Sequence, residues 1–301
     1  MSLSEVSPII FEINIFGINF ALRWYAIAYV LGIIIAWALL ISISKKHKIW
    51  KLEKSPIETN IIENFITYII LGVIFGGRLG YVLFYQPNFY INNPLEIFQI
   101  WKGGMSFHGG LIGVGIGIII FSFKNNISII SLSDFSALAT PPGIFLGRVS
   151  NFINGELWGK PTNSIFGVIF PSAEAQKCPI DWTFAVCTRH PSQLYEAFLE
   201  GIFLWIIMLI IVFFFKGLNI KGLLLAIFIL GYGVSRFIVE YFRNPDIQFI
   251  SQTNPNGYIL YFNENFGFSM GQLLSTPMIL IGLVILFWSI SNIKKTKNEY
   301  S

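Results

Sequence analysis

Apolar runs separated by short polar connections set the pattern of this chain. A membrane-spanning helix needs about 20 mostly apolar residues. Seven stretches approach that length: Trp24–Ile43, Phe65–Phe84, Met105–Phe123, Leu132–Gly147, Leu194–Phe215, Gly222–Phe242 and Phe268–Ile290. The fourth is short and carries Thr140-Pro141-Pro142-Gly143. Two adjacent prolines there kink or break the helix, which is tolerable where neighbouring protein satisfies the freed carbonyls. The pattern predicts an all-α polytopic membrane protein of about seven transmembrane helices, a single integral membrane domain over 1–301. Two connections are long, one from Tyr85 to about Gly104 and an arm of about 151–190 between spans four and five. No internal repeat, low-complexity tract or soluble domain is visible, and the closing NEYS reads as a frayed tail.

Composition agrees with a membrane protein. The chain is 54% hydrophobic and 12% charged, with a mean hydropathy of +0.66, whereas soluble domains carry roughly 25% charged residues. The beginning, MSLSEVSPIIFEINIFG, lacks a basic region and a small-residue cleavage site, so no removable signal peptide is expected. Charge placement sets the orientation. Lys45, Lys46, Lys48, Lys51 and Lys54 follow the first span, Lys124 the third, and Lys216 and Lys221 the fifth. Lys294, Lys295 and Lys297 follow the seventh, so these alternate connections hold more than half of the 20 basic residues. They are therefore cytoplasmic, the N-terminus outward and the C-terminus inward. The outward arm contains Cys178 and Cys187, where a disulfide is permitted without being required. Two cysteines and three histidines are too few for a metal cluster. Basic patches interleaved with aromatics are absent, so no nucleic acid partner is expected.

With orientation set, the ionisable residues inside spans sort by depth. Arg23 lies at the outer start of the first span, Arg78 near the outer end of the second, His108 in the outer quarter of the third, and Arg148 closes the fourth. Glu196 and Glu200 open the fifth, Arg236 and Glu240 lie near the outer end of the sixth, and Asp134 alone falls on the inner side. Each arginine costs about 2.5–3.5 kcal/mol at mid-bilayer on insertion scales, and less near the interface. Tyr232, Arg236 and Glu240 recur every four residues and share a helix face. Ion pairs that merely staple helices have no reason to prefer one leaflet, so the set points to a polar cavity opening to the outer half of the membrane. Guanidinium grips phosphate oxygens with a planar fork, and lipid headgroups are the abundant phosphate at that depth.

Small residues at four-residue spacing in GVIFGGRLG (Gly72–Gly80) and GGLIGVGIG (Gly109–Gly117) read as close helix packing. His108 shares the arginine layer and is either structural or a general base. His190, before Pro191, is first a helix-start or pocket-wall residue.

GRVSNFINGELWG (Gly147–Gly159) resembles the signature of the prolipoprotein diacylglyceryl transferase family. LRWYAIAYVLG (Leu22–Gly32), GGRLGYVLFY (Gly76–Tyr85), WKGGMSFHGG (Trp101–Gly110), HPSQLYEA (His190–Ala197), RFIVEYFRNPD (Arg236–Asp246) and SMGQLLSTPM (Ser269–Met278) are similar to that family in the same order. The resemblance implies a bacterial inner-membrane enzyme that moves the diacylglyceryl group of phosphatidylglycerol to the lipobox cysteine of a prolipoprotein signal peptide. The products are a thioether and glycerol phosphate, without metal, organic cofactor or ATP. It implies that Arg148 and Arg236 hold the phosphate. It also implies functional positions at Tyr25, His108, Asn151, Asn154, Glu156, Gly159, Tyr232 and Glu240; Arg78 and His190 join the lipid-binding set from their place in the layer. If the fourth helix continues past Arg148, Asn151 and Asn154 share nearly one face, and Glu156, just beyond it, pairs with a basic residue or binds glycerol. The rival reading is a phospholipid or anionic-solute transporter using the same pocket; transporters usually show paired, interrupted helices in two repeats, and here one span is interrupted.

Overall fold

The computed structural model describes residues 7–15, 18–50, 54–178, 182–245, 247–251, 254, 256–263 and 266–298. Lys51 of the basic segment after the first span, Asp246 of the RFIVEYFRNPD motif and the last three residues of the expected frayed tail lie outside these. Six helices are long and apolar enough to cross a membrane: Trp24–Lys45, Thr59–Phe84, Phe107–Asn125, Ile129–Ile153, Ser192–Phe215 and Met270–Asn292. A seventh apolar helix, Leu223–Val239, has 17 residues. The protein is a multi-pass, predominantly helical membrane protein.

The chain packs as two compact units, Met1–Ala36 with Ala137–Ser301, and Trp37–Ser136. In the second of these, the second and third spans lie so close that glycine is obligatory. A Cβ on Gly80 would sit 2.7 Å from Gly109 Cα, and on Gly76 2.7 Å from Gly113 Cα. The small-residue stripes of the sequence are this contact, which dispersion between touching backbones stabilises in a bilayer.

The fourth span is two helices in sequence, Ile129–Ala139, most of which belongs to the unit Trp37–Ser136, and Pro141–Ile153 of the larger unit. Pro141 and Pro142 donate no amide hydrogen, so they interrupt the ladder and occupy the first positions of the second helix. That helix runs past Arg148 through Asn151. The fifth span opens as Ser192–Glu196, widens into a π-helical turn at Ala197–Phe203 and resumes as Leu204–Phe215. Such turns, bonded i to i+5, are rare and are frequent at functional sites. Gly201 on the wide turn lies against Phe145 of the fourth span, where a Cβ would stand 2.6 Å from Phe145 Cβ.

Three expectations need correction. The sixth helix stops at Val239 rather than Phe242, and Glu240–Phe242 turn so that Arg243 can bridge to Gly159. The third and seventh helices begin at Phe107 and Met270, because Ser106 caps the one through its side chain and Phe268 belongs to a strand before the other. Three two-stranded antiparallel ribbons also appear beside the helices: Ile9–Ile15 with Ile18–Arg23, Val168–Ile169 with Thr188–Arg189, and Tyr258–Asn263 with Phe266–Ser269. All lie outside the apolar spans, and none closes into a barrel.

The arm over 151–190 is a small packed lobe. Val168, Phe170 and Ala175 form its core with Phe152 and Trp158 against them. Arg189 lies 4.1 Å over the Trp158 ring and donates to the carbonyls of Ala175 and Lys177 at 2.6 Å each. Cys178 and Cys187 are disulfide-bonded.

Candidate active site

The end of the fourth helix, the start of the fifth and the end of the sixth carry a cluster of arginines and carboxyl groups centred on Glu196. Its side chain is 0% exposed and meets three guanidiniums: Arg148 Nη1 at 3.0 Å, Arg236 Nη1 at 2.5 Å and Arg243 Nη1 at 2.7 Å. Glu200, one turn further along and also fully buried, faces Arg148 Nη2 at 3.5 Å. Glu240 takes Arg236 Nη2 at 3.2 Å and Arg243 Nε at 3.5 Å, and accepts from Ser269 Oγ at 3.0 Å. Tyr232 lies within electrostatic reach of Arg148, Arg236 and Glu200. Breaking a buried pair leaves an uncompensated charge worth about 3–5 kcal/mol, so each member enforces the others.

The exposures within this cluster are asymmetric. Glu196 and Glu200 are sealed, whereas the side chains of Arg148 and Arg236 are each 20% exposed. The buried carboxylates therefore fix the guanidiniums, while part of each arginine side chain stays accessible. A guanidinium has five N–H donors, and the contacts above engage two nitrogens on each.

A second constellation sits on the first span and the end of the fourth. The Tyr25 hydroxyl donates to Glu156 Oε1, and Asn151 Nδ2 donates to the Tyr25 hydroxyl. Asn154 Nδ2 reaches the same carboxylate oxygen at 3.1 Å and Asn151 Nδ2 at 3.4 Å. The fourth helix does continue past Arg148, with Asn154 as its C-cap. Among the described residues Glu156 makes no ion pair with a basic residue; a phenol and two amides cage it instead. Gln193 Nε2 donates to the Glu156 carbonyl, tying this constellation to the helix that carries Glu196.

Gly159 and His190 meet beside the cluster. Gly159 N donates to His190 O at 2.8 Å, Lys160 N to Phe242 O at 2.8 Å, and His190 N to Lys160 O at 3.0 Å. A Cβ at Gly159 would stand 2.8 Å from His190 O and 2.9 Å from His190 Cβ, so only glycine lets these strands approach. The His190 ring contacts Tyr195 Oη at 3.1 Å and packs edge-on to Phe242. Burial, and secondarily the charge of Lys160, lowers its pKa below the ordinary histidine value.

Arg78 needs a correction. Its side chain, in the unit Trp37–Ser136, is committed to main-chain carbonyls: Nε to Ile97 at 2.8 Å, Nη1 to Gly103 at 2.5 Å and Gly104 at 3.2 Å, Nη2 to Glu96 at 2.6 Å and Gln99 at 3.3 Å. At 4% exposure it fastens the Tyr85–Gly104 connection and has no donor left for a lipid. His108 belongs to that same unit; its ring is exposed in the first turn of the third span, edge-on to Phe107. The reading of sequence passed over Arg243 and Gln193 as site residues and noted Glu196 and Glu200 only for depth. The signals were there, since Glu196 and Glu200 share a helix face as Arg236 and Glu240 do.

An apolar groove of about 420 Å³ adjoins this region, lined by Ile35, Pro142, Phe145, Leu146, Gly201, Ile202, Trp205, Ile206 and Leu209. Phe145 and Gly201 lie within a turn of Arg148 and Glu200 on their own helices. No group of three or more His, Cys, Asp or Glu suited to a metal occurs among the described residues.

These features define a class: a polytopic membrane protein whose helices hold arginines against buried carboxylates beside an apolar groove. The sequence profile described as prolipoprotein diacylglyceryl transferase matches residues 8–288. A protein of Ruegeria pomeroyi named phosphatidylglycerol–prolipoprotein diacylglyceryl transferase is 49% identical over 94% of this chain and 95% of its own. Similarly named proteins of Cereibacter sphaeroides and Rickettsia typhi are 47% and 44% identical, over 95% and 94% of this chain and 96% of theirs in both cases. The chain belongs to the prolipoprotein diacylglyceryl transferase family.

Proposed function

We propose that this protein, in the bacterial cytoplasmic membrane, transfers the diacylglyceryl group of phosphatidylglycerol to the lipobox cysteine of a prolipoprotein, with its site opening toward the outer leaflet. The observation that carries the reading is the pair of partly exposed arginines, Arg148 and Arg236, braced by the sealed Glu196. In this reading they receive the phosphodiester anion, the apolar groove receives acyl chain, and Tyr25, Asn151, Asn154 and Glu156 offer donors and acceptors for the headgroup hydroxyls. The transporter alternative is set aside, since the relatives carry a transferase name across nearly their whole length.

The reaction is alkyl transfer. The cysteine loses its proton to a base, its sulfur forms a bond to the glycerol carbon that bears phosphate, and the carbon–oxygen electron pair departs with glycerol phosphate. The leaving phosphate passes from a diester monoanion toward a monoester dianion. Arginines already fixed in place attract that growing charge more strongly than the ground state, which lowers the barrier. A free thiol is only a few per cent thiolate at neutral pH, so a base is useful, and we assign His108 to that role from the family resemblance of its sequence motif alone. The assay is purified protein with labelled phosphatidylglycerol and a lipobox peptide: label made covalent on the peptide, with matching release of glycerol phosphate, is expected. Lipid movement without covalent label would refute transfer.

A further inference from the structure

Water and acyl chains make different demands on a connection between spans. Water serves any exposed carbonyl, whereas hydrocarbon serves none, so a segment that enters lipid has to satisfy its backbone from within the protein. The Tyr85–Gly104 connection does this to a degree that a solvated loop does not need. Arg78 takes the carbonyls of Glu96, Ile97, Gln99, Gly103 and Gly104. Asn92 and Asn93 turn their side-chain amides back onto the carbonyls of Asn88 and Phe89, at 2.9 and 3.0 Å. Main-chain turns close Asn93 O to Glu96 N at 3.0 Å and Ile100 O to Gly103 N at 3.2 Å.

Its side chains are arranged the other way. Tyr90 turns inward, with the Arg78 guanidinium 5.2 Å over its ring and Tyr81 edge-on to it. Ile91, Leu95, Phe98 and Trp101 turn out, at 76%, 78%, 75% and 77% exposure. One exposed apolar residue means nothing, but four large ones in a connection whose charged residues are Glu96 and Lys102 alone call for a cover. The attachment points say which. The connection joins the second and third spans, which pack backbone to backbone at Gly80 and Gly109, so both its ends lie at one membrane face. Phe84, closing the second span, and Phe107, opening the third, are themselves 78% and 73% exposed. The patch therefore continues the lipid-facing surface of the two helices into the zone where aromatic side chains settle.

We propose that the Tyr85–Gly104 connection is a lipid-binding surface that lies in the bilayer interface, with Ile91, Leu95, Phe98 and Trp101 entering the boundary between headgroups and acyl chains. Arg78 makes this possible by holding the connection's carbonyls from the protein side. The attraction is apolar. Glu96 and Lys102 cancel in formal charge, so the surface needs no anionic headgroup, and it holds whichever reaction the arginines of the larger unit perform.

The test is a depth measurement on the full chain in phosphatidylcholine vesicles. Leu95→Cys and Phe98→Cys each carry an environment-sensitive fluorophore, with Cys178 and Cys187 left paired and unreactive. The reference is the same fluorophore at Lys54→Cys, a position whose side chain is 75% exposed in the charged connection after the first span. Both probes should emit to the blue of the reference and lose intensity to lipids brominated on the shallow part of the acyl chain. Neither effect should change when phosphatidylglycerol is added or salt is raised. Arg78→Gln behind either probe should move its emission back to the red, because the released carbonyls then seek water. Emission at the reference level without loss to brominated lipid overturns the proposal, and that result needs only the two surface variants, whether or not Arg78→Gln folds. A blue shift that requires phosphatidylglycerol overturns it as headgroup recognition, and one that appears only with a lipobox peptide gives the patch to a peptide instead. Probes that stay blue in folded Arg78→Gln overturn the part assigned to Arg78.

Discussion

At the scale of single residues, the site works because charges are held rather than merely present. Glu196 anchors three guanidiniums, and a fork differs from a point charge where two phosphate oxygens have to be gripped at once. Arg148→Lys should keep the protein in the membrane while transfer falls about 100-fold, the usual effect of losing one preorganised donor on a developing oxyanion. Parental turnover in that variant would dismiss a bidentate grip. His108→Gln should be most impaired at neutral pH and recover as pH approaches the thiol's ordinary pKa of about 8.5, where thiolate forms unaided. A defect independent of pH removes His108 as the base. Much of this was legible in the sequence: Arg236 and Glu240 four apart predict the 3.2 Å pair observed. Arg78 was not, because depth alone cannot tell a guanidinium aimed at a ligand from one bonded to the carbonyls of its own connection. Arg243 was missed because it lies past the helix, and only the turn at Glu240–Phe242 brings it back to Glu196.

At the scale of elements, apolar length located the spans well and their ends less well. Hydropathy is blind to where an amide ladder stops; Ser106 capping, the strand at Phe266–Ser269 and the turn after Val239 decide those ends. The π-helical turn at Ala197–Phe203 has no hydropathic mark either, although it sets the angular relation of Glu196 and Glu200. Glycine spacing was the strongest element-level signal. It predicts that Gly76→Val, whose Cβ would stand 2.7 Å from Gly113 Cα, destabilises the pair of spans by at least the 1–3 kcal/mol or so typical of overpacking. Thermal unfolding in detergent reads this directly, and an unshifted midpoint would mean the two helices have room to part. The Tyr85–Gly104 connection makes a parallel case, since Arg78→Gln removes the donors that gather its carbonyls and should raise proteolysis there; an unchanged digestion pattern would show that the connection holds without them.

For the whole molecule, the excess of lysine in alternate connections is what supports the proposal that the arm over 151–190 faces outward. The disulfide between Cys178 and Cys187 fits that side, because a cytoplasmic pair would be kept reduced. On intact spheroplasts, mild reduction followed by a membrane-impermeant thiol reagent should label both cysteines; labelling only after lysis would invert the orientation. The packed lobe in that arm and the three ribbons were invisible to a reading tuned to apolar runs, since their strands are two to seven residues long. The central claim is that guanidiniums braced by sealed carboxylates receive the phosphate of an anionic lipid. A high-resolution map of the protein in nanodiscs containing phosphatidylglycerol tests it most directly. The account predicts a headgroup phosphate within hydrogen-bonding distance of both Arg148 and Arg236, with acyl density along Phe145 and Trp205; lipid phosphate resolved elsewhere, with both guanidiniums still turned wholly to Glu196, Glu200 and Glu240, would contradict it.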